Sequence, residues 1–373
     1  MSDERQPTGA GRKDAPDTAR AIAAVMVVIS HAVQIIWLPV HGLGTWTHRL
    51  NSFLSDTAVI VFLVLSGYFI SASIVANVTR NGRFNALEYA VSRCLRIYPP
   101  LVFAILLSVV LYLVMMVFSM PGVRGSLAFA VDKYVAREVI HVSVADAVNS
   151  IVMRDGLLLI NGPLWSLYLE VKLYVLAGLL AFTAIGLRRR QSLVAAIALS
   201  LVVAWLASMM IARPHWFYAA WWCVGALLFL AGSSGASVRL LSLLACAACL
   251  AVILLLTEIG VAREAGRVTA VIVLAYAMFF RWTAGERITR AIAEYSFTLY
   301  LVHFPILIFF YSLFVAIVGP QPPTVAARMA VMGLGIVSSF VCAWWSAAIL
   351  EDRATIKGWI LLGFAELRHR KST

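Results

Sequence analysis

Two ionisable residues near the start of the chain have types and a spacing that suit acid–base chemistry on an anionic ligand. Arg20 and His31 are eleven residues apart, which in an α-helix is about three turns plus 20°. Both side chains therefore lie on one helix face. A guanidinium binds anionic groups through a planar fork of donors, and a neutral imidazole accepts the proton of a hydroxyl group.

A second pair of arginines has helical spacing as well. Arg93 and Arg96 are three residues apart, so they lie on one face of a helix. An anionic ligand that approaches from the cytoplasm would meet both of them together with Arg20. Basic residues also anchor membrane helices on the cytoplasmic side, and that plain anchoring role is equally open for each arginine.

Three further polar residues fall within long apolar stretches: Ser66, Glu170 and His303. Polar and ionisable groups are costly in hydrocarbon, so each is a functional candidate. Counting about 1.5 Å per residue places His31 about 15 Å and His303 about 16 Å from the cytoplasmic face. We expect these groups to converge on one buried site, although a structural hydrogen bond is the simpler role for any one alone. Pro305, two residues after His303, predicts a helix kink beside the site.

The elements that position these residues must be membrane-spanning helices. Of the 373 residues, 62% are hydrophobic and 13% are charged, and the mean hydropathy is +0.90. This composition excludes a soluble domain, a disordered chain and a disulfide-stapled secreted module. It predicts an all-α polytopic membrane protein with about ten transmembrane helices. The predicted spans are 21–40, 57–78, 97–119, 164–186, 193–212, 216–232, 238–257, 267–282, 292–318 and 326–350.

The predicted organisation is a single membrane domain with short polar ends. Residues 1–17 predict a disordered cytoplasmic leader, residues 18–353 the membrane domain and residues 354–373 a cytoplasmic tail. The third span is expected to open at Pro99 and Pro100, because proline fits the first turn of a helix.

The distribution of positive charge predicts the orientation in the membrane. Twenty of the 30 Lys and Arg residues lie on the side of the N-terminus, nine lie on the other side, and Lys172 falls within a span. This asymmetry predicts that both termini are cytoplasmic. The net charge of +12 therefore reflects topology, and we expect no nucleic-acid partner. Cys246 and Cys249 form a C-x-x-C inside an apolar stretch, where we expect neither a disulfide nor a metal site.

Five segments of the chain carry motifs in a characteristic order. They are Arg20 and His31 as R-x10-H, residues 62–69 (FLVLSGYF) as F-F-x-L-S-G-[YF], residues 93–99 (RCLRIYP) as R-x-x-R-[IL]-x-P, residues 163–170 (PLWSLYLE) as W-S-L-x-x-E, and residues 300–305 (YLVHFP) as Y-L-x-H-x-P. Together the chain resembles the bacterial membrane acyltransferase 3 family, ten-helix enzymes that modify surface glycans. The family often has a second acid after the glutamate, where this chain has Val171.

The resemblance implies an O-acyltransferase of the bacterial inner membrane. Its donor would be cytoplasmic acyl-CoA, in the first instance acetyl-CoA. Its acceptor would be a hydroxyl of a cell-surface, exported or lipid-linked glycan. Membrane lipids would surround it, and no metal is expected. On these terms Arg20, Arg93 and Arg96 would bind the phosphates of coenzyme A.

Roles for the remaining residues follow from the same chemistry. His31 is the expected general base for attack of the hydroxyl on the thioester, and a covalent acyl-histidine route also stays open. Ser66, Tyr68 or His303 would donate to the oxyanion, without a ranking among them. Glu170 would orient a histidine or hold the acceptor.

Two other functional classes compete with the acyltransferase. One is a secondary transporter or flippase of a glycan or acyl intermediate, because transporters also bury charges and break helices near the midplane. Such proteins usually contain internal repeats, and we find none in the sequence. The other is a non-catalytic scaffold subunit of a glycan assembly complex, which would tolerate substitutions at the buried polar residues.

Overall fold

The computed structural model describes residues 14–41, 44–125, 139–154, 156–188, 215–233, 286–319 and 324–351, with six isolated positions between 194 and 204. The regular structure of these residues is helical, with no strand among them. The α-helices are α1 (Asp14–Ala32), α2 (Leu38–His41), α3 (Trp46–Asn81), α4 (Ala86–Val117), α5 (Val144–Ile151), α6 (Leu164–Arg188), α7 (His215–Ser233), α8 (Glu286–Val318) and α9 (Val325–Leu350).

Six helices in the described part of the chain are long and apolar enough to cross a membrane. They are Asp17–Trp37, Trp46–Asn81, Ala86–Val117, Leu164–Ala184, Arg287–Val318 and Val325–Leu350. These correspond to predicted spans one to four, nine and ten, and the sixth predicted span contains the shorter apolar helix Phe217–Ala231. The fifth span is described only at isolated positions, and the seventh and eighth lie outside the described residues. The all-helical membrane architecture is thus confirmed, whereas the number of ten is not.

Helices α3 and α4 begin earlier than the apolar stretches that predicted them. α3 begins at Trp46, well before the predicted residue 57, and α4 begins at Ala86, well before residue 97. The side chains of Thr45 and Asn85 accept backbone N–H groups at the two helix starts. Such caps satisfy donors that lack an intrahelical partner, so each helix extends beyond its apolar segment.

The structure differs from the sequence at two further predicted boundaries. The expectation that Pro99 and Pro100 open the third span was wrong, because both prolines lie inside α4. α1 begins at Asp14, so the last residues of the predicted leader are helical. Residues 1–13 and the predicted tail 354–373 lie outside the described part of the chain.

Helices α1 and α8 pack against each other in a parallel arrangement. Three side-chain hydrogen bonds join them at a nearly constant offset along the two sequences. The first and ninth spans of a ten-span chain cross the membrane in the same direction, and the parallel packing agrees with that requirement. The bonds join Thr18 to Thr289, Arg20 to Ala293 and His31 to His303.

Just after His31 the first membrane helix widens into a π-helical turn, Val33–Trp37. Such turns occur frequently at functional sites. The carbonyl of Ile36 in this turn accepts a hydrogen bond of 2.9 Å from Nη1 of Arg328. Arg328 lies in the first turn of α9 and is buried. Its guanidinium thus ties the end of the first span to α9.

Two glycines allow α3 and α7 to approach closely. A Cβ atom on Gly67 would lie 2.0 Å from the main-chain oxygen of Trp222, and one on Gly225 would lie 1.9 Å from that of Val64. Backbone atoms at such distances cannot move aside as a flexible side chain could. The glycine of the 62–69 motif is therefore required by the contact between these two helices, which also positions the neighbouring Ser66.

Substituting Gly67→Ala should lower the free energy of unfolding by about 1–3 kcal/mol, because the added methyl group overpacks the crossing of α3 and α7. The measurement is thermal unfolding of the purified protein in detergent. The matched control is Gly333→Ala in α9, where a Cβ atom meets nothing within 4 Å. This control should leave stability unchanged or raise it, since alanine favours the helix by about 0.5–1 kcal/mol. Equal stability of both variants would contradict the close contact.

Candidate active site

The centre of the candidate site is a pair of histidines from two helices. Nδ1 of His31 in α1 lies 2.8 Å from Nε2 of His303 in α8. The two rings are stacked, with centroids 5.1 Å apart, and Phe304 packs edge-on against His31 at 5.2 Å. His303 is fully buried, whereas His31 is partly exposed. The structure thus joins directly two residues that the sequence placed at similar depth.

The partners of His303 determine which nitrogen carries each proton when both rings are neutral. Nδ1 of His303 lies 3.0 Å from the carbonyl oxygen of Leu299. Because a carbonyl only accepts, this nitrogen must be the protonated one, and Nε2 of His303 is left as an acceptor. Nδ1 of His31 then donates to it. The remaining nitrogen of His31, Nε2, keeps an unprotonated lone pair and has the form of a general base.

A buried asparagine compensates for the proline beside this pair. Pro305 lacks a backbone N–H, so the carbonyl of Leu301, four residues earlier, loses its helical partner. Nδ2 of Asn161 donates to that carbonyl at 2.9 Å. Asn161 is fully buried, and its Oδ1 has no hydrogen-bond partner among the described residues. Sequence reasoning predicted the kink at Pro305 but missed Asn161, which precedes α6 and is distant in the chain.

A cavity among the helices, here called the inner cavity, collects most of the other predicted residues. Its polar lining comes from α1, α3, α4, α6 and α8. Tyr300 belongs to this lining, and its ring centroid lies 5.9 Å from that of His303. His31 and His303 themselves are not among the lining residues. The polar groups around the inner cavity are Arg20, Ser66, Arg93, Arg96, Ser166, Glu170, Tyr174, Ser296 and Tyr300.

A chain of hydrogen bonds leads through the wall of the inner cavity to Glu170. Nε1 of Trp222 donates to Oγ of Ser66 at 3.2 Å, and this hydroxyl donates to the Tyr174 hydroxyl at 3.5 Å. Tyr174 in turn donates to Oε1 of Glu170. An indole N–H only donates and a carboxylate only accepts, so the direction of the chain is determined. Sequence reasoning missed Trp222 and Tyr174; the spacing of four residues between Glu170 and Tyr174 was the available signal for the latter.

The three arginines differ in how strongly the protein holds them. Nη2 of Arg20 donates to the Ala293 carbonyl at 2.8 Å and pairs with Asp17 at 3.1 Å. Nη2 of Arg93 donates to the hydroxyl of Ser73 at 3.0 Å. Arg96 has no hydrogen bond or ion pair with the described residues, so its donor fork stays available to a ligand.

Other residues named from the sequence lie away from these contacts. Tyr68 packs against the rings of Phe69 and Phe229 and does not line the inner cavity. Val171, at the position of the family's second acid, packs against the hydrophobic core. Lys172 is half-buried.

The part of the chain that the structure describes contains no group of three or more His, Cys, Asp or Glu residues that could hold a metal ion. The cysteines described there, Cys94, Cys223 and Cys342, form no disulfide. Cys246 and Cys249 lie outside the described residues.

These features define an integral membrane protein with a polar site among its helices. The family described as "Acyltransferase domain" matches residues 13–348, and the chain belongs to that family. The match covers most of the chain and confirms the resemblance that the five motifs indicated.

Two further comparisons bear on the chain. It is similar to a curated protein named O-acetyl transferase from Shigella phage Sf6, with 28% identity over 218 residues. The aligned part is 54% of this chain and 57% of the relative, so the chain spans little more than half the length of that protein. No solved structure matches the chain.

Substituting Asn161→Leu should lower the free energy of unfolding by about 1–3 kcal/mol, because the buried Leu301 carbonyl loses its donor. The substitution Pro305→Ala restores a main-chain N–H at the position that normally pairs with this carbonyl. In a protein that already carries Pro305→Ala, the substitution Asn161→Leu should therefore lower the free energy of unfolding by less. A double-mutant cycle by thermal unfolding measures the coupling. Additive effects of the two substitutions would rule out the compensation by Asn161.

Proposed function

We propose that the protein is an integral-membrane O-acyltransferase of the bacterial inner membrane. It moves an acyl group, acetyl in the first instance, from cytoplasmic acyl-CoA to a hydroxyl of a cell-surface, exported or lipid-linked glycan. Membership of the acyltransferase family and the name of the phage relative, O-acetyl transferase, support this reaction class. The strongest structural support is the hydrogen-bonded pair of His31 and His303 beside a cavity that arginines line.

In this proposal His31 is the general base. Its Nε2 accepts the proton of the acceptor hydroxyl while the oxygen attacks the thioester carbonyl. The new C–O bond forms, the C–S bond breaks, and the thiolate leaves with the proton that His31 returns. Throughout the cycle Nδ1–H of His31 can donate to Nε2 of His303, which stabilises the imidazolium when it forms. General base catalysis of this kind contributes about 10²–10⁴ in rate.

His303 acts as the residue that positions His31. Its Nε2 is committed as an acceptor by the bond from Nδ1 to Leu299, so neutral His303 has no proton for an oxyanion. Of the other two candidates, Tyr68 is not among the residues that line the inner cavity. Ser66 lines it, and its hydroxyl must exchange Tyr174 for the substrate in order to donate. Ser66 is therefore our preferred oxyanion donor.

The remaining cavity residues divide between donor and acceptor. Arg20, Arg93 and Arg96 bind the phosphates of coenzyme A, with Arg96 as the donor fork that has no hydrogen-bond partner among the described residues to give up. Glu170 holds the acceptor: Oε1 accepts from Tyr174, which leaves the second carboxylate oxygen for a hydroxyl of the glycan.

Replacing His31→Ala should reduce acyl transfer by at least about 10²-fold, because the base is lost. His303→Ala should also lower kcat, with little change in the KM for acyl-CoA, because His31 loses its orienting acceptor. The assay follows transfer of labelled acetyl from acetyl-CoA to glycan by purified protein. The control is His141→Ala, an exposed histidine that should not affect the rate. Near-normal transfer by a folded His31→Ala variant would disprove the base assignment. Absence of both acetyl-CoA binding and transfer in the unsubstituted protein would favour a transporter.

Replacing Arg96→Ala should raise the apparent KM for acyl-CoA about tenfold or more, because a hydrogen bond to a charged group contributes about 1.5–3 kcal/mol. Arg20→Ala should act in the same direction. Steady-state kinetics over a range of acyl-CoA concentrations measure the change. Arg83→Ala, an exposed arginine between α3 and α4, is the control for a general loss of positive charge. An unchanged dependence on acyl-CoA in the Arg96 and Arg20 variants would indicate that these arginines only anchor the helices.

A further inference from the structure

A second cavity, here called the outer cavity, adjoins the inner one and has a volume of about 490 Å³. Arg20 and Arg96 line both cavities, so the two spaces meet at these guanidinium groups. The other chemically informative residues of the outer cavity are Glu294, Tyr295, Trp344 and Glu351.

The outer cavity carries charged side chains of both signs. The two arginines lie where it meets the inner cavity, whereas Glu294 and Glu351 line the outer cavity alone. Oε1 of Glu351 accepts bonds from the backbone N–H and the hydroxyl of Thr298, at 3.0 and 2.7 Å. Burial raises the pKa of Glu351, while these bonds and the charges of Arg20 and Arg96 oppose the rise.

We propose that the outer cavity binds the adenine nucleoside end of the acyl donor, with the donor's phosphates between Arg20 and Arg96 and its thioester arm in the inner cavity. This inference rests on the proposed function, since it assumes that the donor is an acyl-CoA.

The lining residues match the parts of such a ligand in order. Adenine carries an exocyclic amine and the ribose of coenzyme A keeps one free hydroxyl, and these donors suit the carboxylates of Glu294 and Glu351. The flat base suits the rings of Tyr295 and Trp344. The diphosphate and the 3′-phosphate suit Arg20 and Arg96, which line both cavities.

Carboxylates and aromatic rings also suit a sugar. The two arginines that line both cavities favour the nucleotide over the sugar. A monosaccharide makes no use of two arginines at the entrance to the inner cavity. A nucleoside joined through phosphates to a long, narrow arm accounts for both cavities and for the arginines between them.

Binding of donor fragments tests this assignment. Purified protein is titrated calorimetrically with coenzyme A, with adenosine 3′,5′-bisphosphate and with 4′-phosphopantetheine. Trp344→Ala should weaken binding of the first two about tenfold and leave phosphopantetheine unchanged, because only the base loses its stacking partner. Glu294→Gln, at an exposed position, should weaken the same two ligands. Trp345→Ala is the matched control: Trp345 is 66% exposed against 64% for Trp344, but it does not line the cavity.

Three results would overturn the inference, and each points to a different cause. Trp344→Ala could weaken the binding of adenosine 3′,5′-bisphosphate and of 4′-phosphopantetheine equally, or Trp345→Ala could weaken binding as much as Trp344→Ala does. Either result would indicate a general effect on the membrane helix. Loss of monosaccharide binding with unchanged nucleotide binding would assign the outer cavity to the acceptor. If the unsubstituted protein binds neither coenzyme A nor its fragments, the proposed donor itself is wrong.

Discussion

The hydrogen bond between His31 and His303 is the contact on which the rest of the site depends, and it joins two helices that pack in parallel. The bonds from Thr18 to Thr289 and from Arg20 to Ala293 hold the same register nearer the start of α1. Where α8 loses an internal bond at Pro305, Asn161 supplies a replacement from outside the helix. A buried polar network is costly when incomplete, so these bonds are needed for the histidines to remain aligned inside the bundle.

Hydrogen-bond direction gives the site its chemical character. Two chains end in groups that can only accept: His31 and His303 lead to the Leu299 carbonyl, and Trp222, Ser66 and Tyr174 lead to Glu170. The first chain leaves a lone pair on His31, and the second orients a carboxylate at the inner cavity. Proton positions follow from this geometry because carbonyl and carboxylate oxygens cannot donate. The same accounting removes His303 from the candidates for oxyanion donor.

The distribution of positive charge along the sequence predicted the orientation of the chain in the membrane. Arg20, Arg93 and Arg96 line the inner cavity, where surrounding apolar helices strengthen their attraction for an anion. In the outer cavity Arg20 and Arg96 lie with two carboxylates, Glu294 and Glu351.

Sequence alone determined the all-helical membrane class, the family, and the common face of Arg20 and His31, because composition, motifs and helical periodicity can be read from the sequence. It also predicted that His31, Ser66, Glu170 and His303 converge on one site. The structure pairs His31 with His303 and places Ser66 and Glu170 on the inner cavity with the three arginines. It did not reveal Asn161, Trp222 or Tyr174 as parts of the site, nor which histidine proton lies on which nitrogen. Those features depend on contacts between residues as far as 272 positions apart. Periodicity tells which face of a helix turns inward, whereas only the packing of helices decides what that face meets.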